Sequence, residues 1–297
     1  MSRKIIIVTG GAGFIGSNLI EKILKTTDYE IISIDNYSSG SKKNHLKHKR
    51  VKYIKTDTKN ISKVLNRKKD KINCIFHFGE FSRIYQSFLR LEECIESNIS
   101  GSKSVIKFCL KNKIKLIYSA TSASLGSGGE DKNLSPYAFT KATNLEYLKN
   151  LRRWYDFKFE VIYFYNVYGP RQICKGNMAT VIGIFQEQHK NSLPITVVKP
   201  GFQSRKFTHV YDTVDVCIDA WKKNKNLHYS VAAKKSYSIL QVAKLFSNKI
   251  KFLPKRLGER YKSSIIKKGS NNIVHIIGKR KLIDYIKEIK INRISKI

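Results

Sequence analysis

Ile5-Ile6-Ile7-Val8-Thr9-Gly10-Gly11-Ala12-Gly13-Phe14-Ile15-Gly16 joins a β-branched apolar run to a glycine-rich turn and then to a segment of helical periodicity. Strand, glycine turn and helix in that order form the first unit of a dinucleotide-binding sheet. Glycine lets backbone approach a pyrophosphate closely, and the free N–H groups of a helix start face the anion from its positive end. Asp35 follows about twenty residues later, at the end of the next β-branched run, Glu30 to Ile34. A carboxylate there accepts hydrogen bonds from the adenosine ribose hydroxyls and disfavours a 2′-phosphate.

Outward from this turn, short β-branched runs alternate with longer helical segments, the pattern of βαβ units. Strands are expected at Lys4 to Val8, Glu30 to Ile34, Val51 to Lys55, Asn73 to Phe78, Lys115 to Tyr118 and Phe159 to Phe164. Helices are expected at Ser17 to Lys25, Leu91 to Leu110 and Pro136 to Trp154. Runs apolar on both faces suit strands covered by helices on each side, so the fold class is α/β with a doubly wound parallel sheet. After about Asn166 the rhythm loosens around Gly169-Pro170, Pro194, Pro200-Gly201 and Pro254. Residues 1–165 are expected to form the dinucleotide-binding domain. Residues 166–297 are expected to form mainly a smaller α/β substrate domain, some segments returning to the first. The basic stretch from Ile265 to Ile297 suggests only a helix near Lys281 to Lys290.

Hydrophobic residues make up 41% and charged residues 27%, a globular mixture. The 57 lysines and arginines against 22 aspartates and glutamates give a formal charge of +35. That excess is spread along the chain and dominated by lysine, which points away from a nucleic-acid footprint and toward steering of anionic small substrates. Apolar runs fall short of the ~20 residues of a membrane span, so a cytoplasmic protein with no membrane partner is expected. Five scattered cysteines without CxxC spacing read as buried thiols in a reducing compartment. Seven histidines form no metal-ligand cluster, and no metal is expected.

Tyr137-Ala138-Phe139-Thr140-Lys141 places a tyrosine and a lysine on one face of an expected helix. A tyrosine with its ordinary pKa near 10 is a poor base at pH 7. A neighbouring ammonium and a cationic nicotinamide would both favour phenolate. The spacing is common on ordinary helices; behind a dinucleotide turn it reads as an acid/base pair.

With these motifs the chain resembles the extended short-chain dehydrogenase/reductase family, in particular its NAD-dependent nucleotide-sugar epimerases and dehydratases such as UDP-glucose 4-epimerase. The likeness runs from Lys4 to about Ser263. It also rests on Ile34-Asp35-Asn36, Asp57, His77-Phe78-Gly79-Glu80, Ser97-Asn98-Ile99-Ser100-Gly101, Tyr165-Asn166-Val167-Tyr168-Gly169-Pro170 and Arg205-Lys206-Phe207-Thr208-His209-Val210. The resemblance implies NAD as cofactor, held by Gly10, Gly13, Phe14, Ile15, Gly16, Asp35, Asn36, Asp57, Phe78, Gly79, Asn98 and Lys141. It implies catalysis by Thr121, Tyr137 and Lys141, with Ser119 and Ser122 as alternatives to Thr121. For a nucleotide-diphosphate sugar it implies contacts from Glu80, Ser82, Asn166, Asn177, Arg205, Arg256 and Ser263. It implies a homodimer paired through the helices at Leu91 to Leu110 and Pro136 to Trp154, and a place in polysaccharide synthesis.

Similar 4,6-dehydratases carry Asp-Glu after the threonine, where this chain has Ser122-Ala123. Elimination would then lack its acid and base, so the expected reaction is C4 epimerisation of a UDP-hexose or UDP-N-acetylhexosamine through a 4-keto intermediate. Ser263 stands where a bulky tyrosine restricts relatives to plain hexoses, which suggests room for an N-acetyl group. The alternatives are a dehydratase or reductase of the same substrates, or a basic nucleic-acid-binding scaffold on the same fold. Two departures stand out: Lys206 replaces an aspartate, and Glu80 replaces a small residue. Glu80 could contact cofactor or substrate, act as an acid/base, or be a solvated charge at a strand end.

Overall fold

The computed structural model describes residues 4–122, 130–258 and 273–294. The first half supplies strands β1 (Ile5–Thr9), β2 (Glu30–Asp35), β3 (Val51–Lys55), β4 (Ile72–His77), β5 (Lys115–Thr121) and β6 (Phe159–Phe164). The second adds β7 (Ile195–Val198), β8 (Ser204–Lys206), β9 (His228–Ala233), β10 (Ser236–Ser238), β11 (Ile250–Leu253) and β12 (Ile273–Gly278). Eight of these form one parallel sheet in the order β12-β9-β6-β5-β4-β1-β2-β3. This is the doubly wound α/β fold.

The alternation of β1 explains the layers. Ile5 and Ile7 point into one core, Ile6 and Val8 into the other, and all four are buried. Helices α1 (Phe14–Thr26), α2 (Ile61–Leu65), α3 (Ile84–Leu89), α4 (Leu91–Ile95), α5 (Ser102–Lys111) and α6 (Pro136–Tyr155) follow in chain order. The Ile5 side is closed by residues of α2, α5 and α6. The Ile6 side is closed by α1 and by α8, which comes later in the chain. The remaining helices are α7 (Val181–Lys190), α8 (Val210–Lys223), α9 (Ile239–Phe246) and α10 (Leu282–Ile294). A third core gathers α7, α9 and α10 around Ile195 and Val197 of β7, while β9 and β12 extend the main sheet. Among the described residues no helix is long and apolar enough to cross a membrane.

Two helices differ from expectation. The first starts at Phe14, three residues early, because extended Gly13 caps it directly at the turn. The second, expected as one helix over Leu91 to Leu110, carries a π turn at Glu96–Gly101 between α4 and α5. Asn98, in that turn, accepts from Phe81 N at 2.7 Å and donates to Phe81 O at 3.2 Å and Thr140 Oγ1 at 3.0 Å. The widened turn thus serves the loop after β4. Helix α6 starts where Ser135 Oγ accepts from Ala138 N, with Pro136 in its first turn.

Burial holds His77, His209 and His228 at about 4, below the ordinary histidine range, so each is neutral when folded. Their contribution to stability is full above about pH 6.5 and is lost as pH falls toward 4, because the unfolded chain takes up the protons first. Each histidine contributes about 1.4 kcal/mol per pH unit within that window. Asp35, its carboxyl raised by burial, opposes them singly. Urea unfolding at pH 7, 6 and 5 is expected to show a steep decline of stability; a flat profile would contradict it.

Candidate active site

Strands β2 and β4 flank β1, and the chain winds away from β1 in both directions, so a crevice opens at the carboxyl ends of these strands. The cavity there encloses about 410 Å³, within the roughly 300–1,000 Å³ of small-molecule sites.

One half suits a dinucleotide. Gly10 adopts φ +69°, and a Cβ there would sit 2.7 Å from the Phe78 carbonyl. A Cβ on Gly16 would lie 2.2 Å from Gly10 O, so the turn closes only with glycine. Asp35 accepts from Ala12 N at 2.9 Å and Tyr37 N at 2.8 Å, fixing its carboxylate beside the turn. Asp57 caps the short helix at Thr58–Asn60 and accepts from Asn36 Nδ2 at 3.2 Å, which puts both residues on the wall. Gly13, Phe14, Ile15, Phe78 and Gly79 complete this wall. Asn98 does not reach it, because its side chain is fully buried against the loop after β4. The glycine cradle and the fixed acid fit the diphosphate and ribose of NAD.

The other half gathers Thr121 at the end of β5 with Tyr137 and Lys141 from one face of α6. The Tyr137 phenol oxygen has no hydrogen-bond partner among the described residues. Lys141 donates to Ser119 O at 2.6 Å and to the Glu80 carboxylate. Glu80 is not a solvated charge: its side chain is 2% exposed. It also accepts from Ser102 Oγ at 2.8 Å, Tyr118 OH at 2.9 Å and Asn144 Nδ2 at 3.3 Å, which turns it toward Lys141 rather than toward a sugar.

Behind Glu80 the proton order is determined. Ser102 gives its proton to Glu80, so it accepts from His77 Nε2 at 2.9 Å. His77 Nδ1 then accepts from Thr9 Oγ1 at 2.7 Å, and Thr9 Oγ1 accepts from the N–H groups of Phe78 and Gly79. The neutral histidine that burial enforces is the form this chain of bonds requires.

Ser82 and Asn166 line the cavity; Asn166 adopts φ +37° and donates to Lys206 O at 3.2 Å. Asn177 and Arg256 are exposed and off the wall, the Arg256 guanidinium lying 5.3 Å over the Tyr85 ring. Arg205 donates to Ser204 O at 2.9 Å and is likewise off the wall. Ser263 and Ala123 lie outside the described residues. Of the aromatics near the motifs, Phe81, Tyr163 and Tyr165 are buried in the core, whereas Phe78 and Phe164 face the cavity. His209 caps α8, and Asp212 accepts from Arg280 N at 3.0 Å, so both hold the C-terminal elements.

Sequence reasoning missed Arg83. It lines the cavity and donates from Nε and Nη2 to Met178 O at 2.9 and 2.6 Å, without a carboxylate partner among the described residues. Burial lowers its pKa, and Tyr137 acts in the opposite sense. A basic residue six positions past His77 carried no signal of burial in the sequence.

The doubly wound sheet, with a glycine cradle at one end of its crevice and Tyr137 and Lys141 lining the other, has the form of a dinucleotide-binding enzyme. The signature of the NAD dependent epimerase/dehydratase family matches residues 6–232, and the chain belongs to that family, a branch of the extended short-chain dehydrogenase/reductases. It is similar to the ADP-L-glycero-D-manno-heptose-6-epimerase of Brachyspira hyodysenteriae, 29% identical over 254 residues, 80% of this chain and 79% of that one. Among solved structures it resembles a UDP-N-acetylglucosamine 4-epimerase from Methanobrevibacter ruminantium, 28% identical, TM-score 0.85, with all of both chains covered. A UDP-glucose 4-epimerase from Thermotoga maritima, 24% identical, shares the fold with TM-score 0.86 over 99% of this chain and 100% of that one.

Asp35→Ala is expected to weaken NAD binding about 10- to 100-fold, the worth of charge-assisted hydrogen bonds to both ribose hydroxyls. Titration of cofactor-free protein with NAD measures it, and an unchanged affinity would remove Asp35 from the site.

Proposed function

We propose that the chain is a nucleotide-sugar epimerase acting at C4 of a UDP-hexose or UDP-N-acetylhexosamine through a 4-keto intermediate. The observation that carries this reading is the commitment of Glu80. Three carboxylates line the cavity among the described residues: Asp35 and Asp57 at the dinucleotide half, and Glu80 bound to Lys141. Thr121 is followed by the buried Ser122, so among the described residues the reactive end offers no free carboxyl group to expel a C6 hydroxyl. Return of hydride to the other face of a ketone needs none.

NAD, when bound, supplies an acceptor that can give the hydride back. Tyr137 takes the proton of the C4 hydroxyl and later restores it. Thr121 orients that oxygen, and the third proton of Lys141 is left for the cofactor ribose. The hydrogen-bonded groups behind Glu80 (Ser102, His77 and Thr9) are fully buried, so the network provides no path to solvent. This suits a cycle in which the proton stays with the substrate. By resemblance, Asn166, Asn177, Arg205 and Arg256 are assigned to the diphosphate sugar, and Ser263 to space beside its C2 group.

NMR of the protein with UDP-glucose, UDP-galactose and their N-acetylamino counterparts, without added NAD, is expected to show interconversion of a C4 pair. Tyr137→Phe should slow it about 10²- to 10⁴-fold. A lasting keto product would point instead to a dehydratase, and net NADH consumption to a reductase.

The homodimer is proposed on a second observation. Phe88, Leu91, Ile95, Leu134, Pro136 and Phe139 form an apolar groove along α3, α4 and α6, with Leu91 and Phe139 each about half exposed. A second copy of the same surface would cover it. Light scattering is expected to give twice the chain mass, and Phe139→Glu to give monomer; a monomeric wild type would refute the pairing.

A further inference from the structure

We propose that Glu80 is a positioning residue that fixes the Lys141 ammonium and cancels its charge, so that Lys141 orients while another positive charge favours the Tyr137 phenolate. The inference rests on the reading of Tyr137 as the base. Its ground is geometry: the Glu80 and Lys141 side chains are 2% and 4% exposed, and Glu80, on the loop after β4, meets Lys141 of α6 in direct contact. The carboxylate is held on its other sides by Ser102 of α5, Tyr118 of β5 and Asn144 of α6. The ammonium is held by the Ser119 carbonyl. Neither charge can swing away, because every neighbour belongs to a packed element.

In a buried site, an ammonium with a carboxylate in contact presents a dipole to its surroundings rather than a net charge. The field of a dipole falls off faster than that of an ion. A lone Lys141 would favour the phenolate whether or not a cofactor were present. The Glu80–Lys141 pair removes most of that bias, leaving Arg83 as a constant background and the positively charged ring of oxidised NAD as the charge that comes and goes with the cofactor. The base is thereby coupled to the cofactor: the phenolate is favoured when a hydride acceptor is in place.

Other groups around the pair do not obscure its effect. His77 of β4 is held at about 4 by burial, Cys94 of α4 is pushed up to about 11, and Tyr118 is raised well above its ordinary range. Arg83, the remaining cation near Tyr137, carries a guanidinium that proteins do not deprotonate, so its charge is the same in every variant.

The test is Glu80→Gln, read by the pH titration of tyrosinate absorbance in NAD-loaded protein, with Tyr137→Phe subtracted to isolate Tyr137. The amide removes the negative charge and keeps the shape. The Tyr137 midpoint is expected to fall by about one pH unit or more, the effect of an uncompensated neighbouring charge. Lys141→Met, leaving the carboxylate, should raise it. Glu80→Asp, with its carboxylate drawn back, should give a smaller fall; it decides the matter if Glu80→Gln does not fold.

A midpoint that stays in place while thermal stability drops would overturn the proposal and leave Glu80 purely structural. The titration needs no sugar, so failure to find a substrate leaves this result standing. If Tyr137→Phe removes no titrating component, the base assignment and this proposal fall together.

Discussion

The buried contact between Glu80 and Lys141 is the constraint on which the catalytic half depends. Taking two opposite charges out of water is expensive, and the attraction between them repays it only when further hydrogen bonds satisfy the remaining atoms. Here Ser102, Tyr118, Asn144 and the Ser119 carbonyl supply those bonds. Loss of one partner of such a pair costs about 3–5 kcal/mol, so the loop after β4, strand β5 and helices α5 and α6 are bound into one arrangement. Through Ser102, His77 and Thr9 the same network reaches the strand that carries the glycine turn. The cofactor and catalytic halves are therefore set relative to each other by hydrogen bonds as well as by packing.

Packing supplies the frame. The isoleucines of β1 alternate between two cores, which forces helices onto both faces and leaves a crevice where the winding reverses. Strand ends, the loops that follow them and the first turns of α6 line that crevice. A third core around β7 builds the elements that frame the far side of the cavity, where Thr180 and Ile182 line it. The named relatives act on different sugars and at C4 or C6, in keeping with a shared dinucleotide half and a variable substrate side.

By itself the sequence determined the parts whose physics is local. The glycine turn, the β-branched runs and the acid after the second run dictate a dinucleotide sheet, because strand period, glycine backbone freedom and helix start are properties of neighbouring residues. Tyr137 and Lys141 were legible for the same reason, since four residues on a helix share a face. The π turn at Glu96–Gly101 was not legible, because it exists to let Asn98 reach a loop distant in the chain. Nor were the place of Arg83, half-buried on the cavity wall, and the partner of Glu80: a charge six or three positions past a strand end looks solvated until helices from elsewhere cover it. Only the tertiary structure brought Glu80 to Lys141, 61 residues apart. That contact arises from packing between elements rather than from the order of residues, and it fixes where the lysine ammonium lies.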